Sequence, residues 1–334
     1  MHIRYDINPI IGRIEEALGR HCVGVGQYSR WCGRGENGEP LPRADEYGCA
    51  DAANILYTLN RFPRDHETRD AFVRTLQSFQ NPQNGMFHEP THVKMHSTAH
   101  CTAALELFEA RPLHKFIELE PYMTVDGITA FLEGLKWGGA DAPFGHIGAG
   151  IYAPLVITRA VGDEWLDAYF GWLDDNCDGS SGLWRKGFMN PELPTWLRMG
   201  AGFHFLFNYS DSKRSFPYPE PLIDTCLDIY DRGALPQDFG RRCHFIEMDW
   251  VYCLNRASRQ TPHRFHEIVE ALKCFAEKYM AWLDGLDWEN DKSASDLHLV
   301  FGTLCCIAEL QLALPGMVHS TVPLRLVLDR RPFI

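Results

Sequence analysis

What the chain has little of bounds it first. Positive charge is short: 32 Lys and Arg stand against 44 Asp and Glu, a net −12 at pH 7. Binding a phosphate backbone or an anionic bilayer needs a basic patch, so neither nucleic acid nor membrane is an expected partner. Long apolar runs are also missing. The most apolar stretch, 297–314, carries His298, Glu309 and Gln311 and reads as a buried helix rather than a span. Residues 1–9 hold no apolar segment of signal-peptide type, so a soluble, cytoplasmic protein is expected. The sequence has no phosphate-binding P-loop, no dinucleotide Gly-x-Gly-x-x-Gly after a strand, no Gly-x-Ser-x-Gly elbow and no Asp-x-Asp-Asp run. Strand-like alternation never extends beyond a few residues.

Cysteine is present but unlike a disulfide framework. Eleven residues is an odd count in a large chain, and Cys101, Cys253, Cys274, Cys305 and Cys306 lie in apolar helical runs. There they are expected to act as free thiols and small core residues. Hydrophobic residues make up 45% and charged residues 23%, ordinary globular usage, and 334 residues can bury a sizeable core.

The main positive signal is an internal repeat. Six runs of small and apolar residues begin near 48, 96, 146, 198, 245 and 296. Their small-residue registers align Asp51, His100, Gly150, Gly202, Asp249 and His298, with successive spacings of 49, 50, 52, 47 and 49. Between them lie six amphipathic segments: 7–18, 67–79, 125–135, 164–173, 221–230 and 265–283. Asp65, Thr124 and Asp163 stand where helix N-caps belong. Each period therefore reads as a helical hairpin, a half-polar helix followed by one that must be covered on nearly all sides. The expected fold class is all-α, an (α/α)6 toroid of six hairpins in one domain, 1–334, with small-residue helices lining a central cup.

Two loops extend the pattern, Gln80-Asn-Pro-Gln-Asn-Gly-Met-Phe87 and Asp174-Asp-Asn-Cys-Asp-Gly-Ser-Ser-Gly-Leu-Trp184, each a polar turn with Gly followed by an aromatic residue. Together with the repeat they make the chain resemble the α/α toroid superfamilies. These are the six-hairpin glycosidases, the sugar epimerases and lyases of similar build, and the terpenoid-cyclase and prenyltransferase toroids.

A cup of this kind opens where the small-residue helices begin, so chemistry is expected in their first turns. The candidate acid/base groups are Asp249, Asp51, His100, Glu247 and His204. Two carboxylates in one pocket can split into an acid and a base as burial and repulsion separate their pKa values, which suits glycoside hydrolysis. Histidine titrates near neutrality and suits proton transfer. Substrate contacts are expected from Trp250, Trp184, Tyr47, Arg198, His96 and His298, with the indoles, together with Trp196, on the rim. His96 and His100, four apart on a helix, share a face and could hold a metal with a third ligand from elsewhere. The intervening Ser-Thr-Ala lacks the usual Glu, and no metal or cofactor is assigned. Asp174-Asp-Asn-Cys-Asp178 matches the metal-binding pattern of terpene synthases, but it ends a half-polar helix and has no second motif. The Gly-rich segment 21–43, with Arg30, Trp31 and Arg34, is long enough to act as a lid.

The function these features imply is a carbohydrate-active enzyme, a hydrolase, lyase or epimerase acting on a mono- or oligosaccharide by acid/base chemistry. An isoprenoid-type cyclase or transferase predicts a cup lined by aromatic and aliphatic groups instead. A non-catalytic scaffold predicts polar groups that satisfy one another.

Overall fold

The computed structural model describes residues 4–32, 43–137, 144–184 and 192–334. Helices dominate it, and all twelve segments expected from the repeat are helical. In chain order they are α1 (Asn8–His21), α2 (Glu46–Thr58), α3 (His66–Ser78), α4 (Lys94–Leu107), α5 (Val125–Gly134), α6 (Phe144–Gly150), α7 (Tyr152–Ile157), α8 (Asp163–Asn176), α9 (Thr195–Asp211), α10 (Pro219–Asp231), α11 (Phe245–Ala257), α12 (Phe265–Gly285) and α13 (Leu297–Ala313). The third small-residue segment is split into α6 and α7. Pro154 sits in the first turn of α7, where it lacks the N–H that would have reached back to Gly150, so one continuous helix is interrupted there. Among the described residues no helix is long and apolar enough to cross a membrane.

Local chemistry sets the helix starts. Asp65 and Thr124 are N-caps as expected, accepting from the amides of Thr68 and Gly127. Asp163 is not; Gly162 holds the cap position and Asp163 is the first helical residue, where its charge faces the positive end of the dipole. Three two-stranded pairings, each two or three residues long, join loops without forming a layer.

The described residues fall into two compact units. The first comprises 1–79, 237–255 and 265–327. Here α2 packs along α13, and α1 packs on α12 and α13. Small residues on α2, namely Cys49, Ala50, Ala52 and Ala53, are wholly buried and let the helix axes approach. On α12, Ile268, Leu272, Phe275, Ala276, Tyr279 and Leu283 form a buried stripe at helical spacing. Each large apolar side chain so covered contributes about 2 kcal/mol.

The segment before α2 is tied down by backbone contact. Cys22–Gly24 and Gln27–Tyr28 form a short antiparallel hairpin, and Arg30 continues from it. A Cβ at Gly48 would come within 2.5 Å of the Arg30 nitrogen, so only glycine admits this approach. Asp45 caps α2 through Gly48 and also accepts from the Arg30 amide at 2.7 Å. The Leu297 amide donates to the Arg30 carbonyl at 2.8 Å, fixing the same residue to the start of α13. Residues 22–32 are thus a built connection in which Arg30 is buried. The remainder of the expected lid, including Arg34, lies outside the described residues.

The second unit comprises 80–236, 256–264 and 328–334. Here α4 packs on α6 and α7, α6 on α9, α5 on α8, and α10 on α9. Glycines set the closest approaches. A Cβ at Gly145 would meet the Ala201 carbonyl oxygen at 2.0 Å, and one at Gly150 would lie 3.0 Å from the Met95 side chain. Buried Asn208 on α9 donates to the Ala149 carbonyl at 3.0 Å and to the Tyr169 hydroxyl at 2.9 Å. Tyr169 in turn donates to the Gly148 carbonyl. Those bonds lock α9, α6 and α8 in one register.

All eleven cysteines are thiols. Cys101, Cys253, Cys305 and Cys306 are buried as expected, but Cys274 is exposed on the outer face of α12.

Candidate functional site

Each unit contains a buried polar centre built largely from first turns of small-residue helices. In the first unit, Asp51 on α2 and His298 on α13 are joined by a 3.0 Å hydrogen bond from Nδ1 to the carboxylate, both residues being buried. The carboxylate selects the tautomer with its proton on Nδ1, which makes Nε2 the nitrogen able to exchange protons. Tyr47 presents its ring edge-on to the imidazole at 4.8 Å, and Phe245 lies against it at 4.4 Å. Asp296, the N-cap of α13, accepts from the His298 amide and takes a bidentate pair of 2.8 Å bonds from Arg30. The Arg30 guanidinium also lies over the rings of Trp31 and Tyr47, at 4.6 and 5.3 Å. Two carboxylates here thus meet one guanidinium and one imidazole.

Glu247 and Asp249 form another carboxylate pair in the same unit. Glu247 accepts from the Gly240 amide at 2.9 Å and lies 3.6 Å from the Arg242 guanidinium. Burial pushes its pKa up to about 7, against the pull of that amide and that charge. Asp249 is raised well above the ordinary carboxylate range by burial and then by Glu247, and its Oδ1 has no hydrogen-bond partner among the described residues. The neighbouring His244 accepts from the Ile246 amide at the start of α11, and burial with the Arg242 charge lowers it to about 4.

In the second unit the histidines gather. His96 on α4, His146 on α6 and His204 on α9 bring one ring nitrogen each to within 4.8 Å of one another. Such a donor set could hold a metal ion. Ring centroids are 4.8 Å apart for His96 and His146, 4.3 Å for His146 and His204, and 5.8 Å for His96 and His204. The His92 ring lies 5.3 Å from that of His96, tilted by 33°, and 3.6 Å from the buried Glu89 carboxylate. His100 is not part of the converging three. Its backbone carbonyl and Nδ1 both accept from the buried Arg331, at 3.3 and 3.5 Å.

Within each unit a subset of the sequence-derived candidates comes together. Asp51, His298 and Tyr47 meet in the first, with Glu247 beside Asp249. His96 and His204 meet in the second, where Arg198 is half-buried and bonds the Thr195 hydroxyl at 3.0 Å. The rim expected for Trp184 and Trp250 is not what is found. Trp184 is 1% exposed, donates to the Leu173 carbonyl and packs on Phe205, while Trp250 is fully buried against Phe239 and Phe275. Both indoles are core, and of the three tryptophans only Trp196 is left partly open. The Asp174 to Asp178 run is likewise structural. Asp174 accepts from the Tyr209 hydroxyl at 2.5 Å, and Asp178 organises the turn through Ser180 and Ser181.

His146, His244 and Asp296 also stand at early positions of the small-residue helices, although none is among the candidate acid/base or substrate-contact residues. Arg30 sits in a connection, where no periodicity marks it. His146 carries a readable signal: it precedes register residue Gly150 by four, as His96 precedes His100 and Tyr47 precedes Asp51. Comparison with family models, with curated proteins and with solved structures finds no match.

Proposed function

We propose that the protein is an enzyme acting on a mono- or oligosaccharide by acid/base chemistry, with the Asp51–His298 pair transferring the proton. The observation that carries this reading is the buried 3.0 Å bond between two residues 247 apart in the chain, both in repeat-register positions at helix starts. A carboxylate that orients an imidazole gives it a fixed tautomer and stabilises its protonated form as a proton moves. Tyr47, edge-on to the same ring, gives a His with Tyr pairing of the kind that resembles lyase chemistry. The acidic net charge favours a neutral polyhydroxyl substrate over a polyanion. Use of Asp174 and Asp178 in internal hydrogen bonds counts against the isoprenoid reading. The hairpin period near fifty, each half-polar helix followed by a small-residue one, supports the six-hairpin toroid as fold class.

The test is turnover against a panel of glycosides, uronides and free sugars, followed by Asp51→Asn and His298→Gln on the best substrate. Asp51→Asn leaves the shape and inverts the tautomer preference. Turnover falls by about 10³ to 10⁴ with a changed pH profile and little change in KM. Equal turnover in the folded variants would reject the assignment.

A further inference from the structure

We infer that His96, His146 and His204 form a binding site for one divalent transition metal ion of the zinc class. This site lies within the second unit and is independent of the Asp51–His298 reading. Tetrahedral zinc with Zn–N bonds of about 2.05 Å requires nitrogens about 3.4 Å apart. The three donors already stand within 4.8 Å of each other, so the largest closure is about 1.4 Å. Shared between two side chains, that is ordinary torsional movement with no shift of helices.

The surroundings preorganise the donors. His204 bonds its own-helix Gly200 carbonyl through Nδ1 at 2.8 Å, which fixes that nitrogen as the donor and Nε2 as the one able to coordinate. A backbone carbonyl behind the second ring nitrogen is the usual support of a metal-ligating histidine. The Gly145–Ala201 and Gly150–Met95 approaches hold the three helices at fixed separations, one residue from His146 and His96. Asn208, one turn beyond His204, ties α9 to α6. Phe333 lies edge-on to His96 at 4.9 Å, and Phe203 and Phe207 flank His204. That aromatic wall strengthens coordination by excluding water. All-imidazole donors suit zinc, copper, nickel or iron, and the set contains no thiolate to favour a softer ion. Three protein ligands leave a fourth tetrahedral position for water or a substrate oxygen, the pattern of catalytic rather than structural zinc.

The experiment uses the full chain, stripped with chelator and titrated with Co²⁺ under visible absorption, then with Zn²⁺ in competition. The expected result is one equivalent per chain with the intense bands of tetrahedral cobalt. His146→Ala and His204→Gln each weaken Zn²⁺ binding by at least about 100-fold, whereas His66→Ala, on the exposed start of α3, binds as the wild type does. Should a ligand variant not fold by circular dichroism, X-ray absorption at the zinc edge of the wild-type protein decides, with three nitrogens at about 2.05 Å expected. No uptake below millimolar metal, unchanged affinity in folded variants, or an oxygen- or sulfur-dominated shell would overturn the site.

Discussion

The two polar centres start from the same sequence device and end in different chemistry. In the first unit α2, α11 and α13 carry carboxylates, three of them tied to a donor: Asp51 to His298, Asp296 to Arg30 and Glu247 to the Gly240 amide. In the second unit the starts of α4 and α6, with the third turn of α9, carry imidazoles that converge on one another. A carboxylate bonded to a donor has its geometry spent on that partner. Converging imidazoles have theirs directed at a shared point. The repeat fixes where polar groups appear, and residue type at that offset decides whether they brace each other or bind something.

Breaking the matched charges should have the largest effect. Arg30→Met leaves Asp296 buried with one partner removed, and a broken buried pair costs about 3–5 kcal/mol. Urea denaturation read by circular dichroism measures it. Restoring stability with the double variant Arg30→Met, Asp296→Leu would show that the pair is a brace and not a site requirement.

The second unit breaks differently, through space rather than charge. Gly145→Ala drives a methyl into the Ala201 carbonyl and should cost about 3 kcal/mol or more. Its destabilisation should be accompanied by loss of Co²⁺ binding, whereas Arg30→Met should leave cobalt affinity per folded molecule unchanged.

A pH series sharpens the contrast within the first unit. Glu247 has a folded-state pKa of about 7 against an ordinary 4.5, so the native state keeps a proton that the unfolded chain has lost. Its contribution is full below pH 4.5 and is lost as pH rises through 7. His244, lowered to about 4 from 6.5, contributes in the opposite sense: full above pH 6.5 and lost as pH falls through 4. Each amounts to on the order of 3 kcal/mol. Glu247→Gln should therefore remove a decline of stability toward neutral pH, and His244→Asn should steepen it. Asp249→Asn should act in the direction of Glu247→Gln. Melting temperatures from pH 4 to 8 report all three.

A smaller effect is expected at Asn208. Replacement by Ala removes two buried hydrogen bonds at the Ala149 carbonyl and Tyr169 hydroxyl, costing about 2 kcal/mol. It should also weaken cobalt binding modestly, because α9 and α6 lose a tie but not their packing.

The periodic part of this architecture was legible in the residues alone. Small-residue runs marked α2, α4, α9, α11 and α13, amphipathic spacing marked their partners, and the spread of the six registers placed Asp51 and His298 in equivalent positions. What escaped depends on packing. Periodicity cannot tell an indole beside a loop from one folded under it, and so Trp184 and Trp250 were expected on a rim. Arg30 is placed by Gly48 and Asp45, through contacts that leave no pattern in sequence. The interruption at Ile151 follows from Pro154, a residue that the repeat does not single out.

The most direct test of the acid/base reading is ligand-induced stabilisation, measured by thermal shift across a panel of mono- and oligosaccharides for the wild type and Asp51→Asn. Saturating ligand at about 100 times Kd adds about 2.7 kcal/mol to the folded state. At least one sugar should raise the wild-type melting temperature by several degrees, and the folded Asp51→Asn variant should keep that shift while losing turnover on the same sugar. The acid/base reading would be contradicted if no sugar shifted the wild type while Asp51→Asn merely melted lower, which would make the Asp51–His298 bond an internal brace.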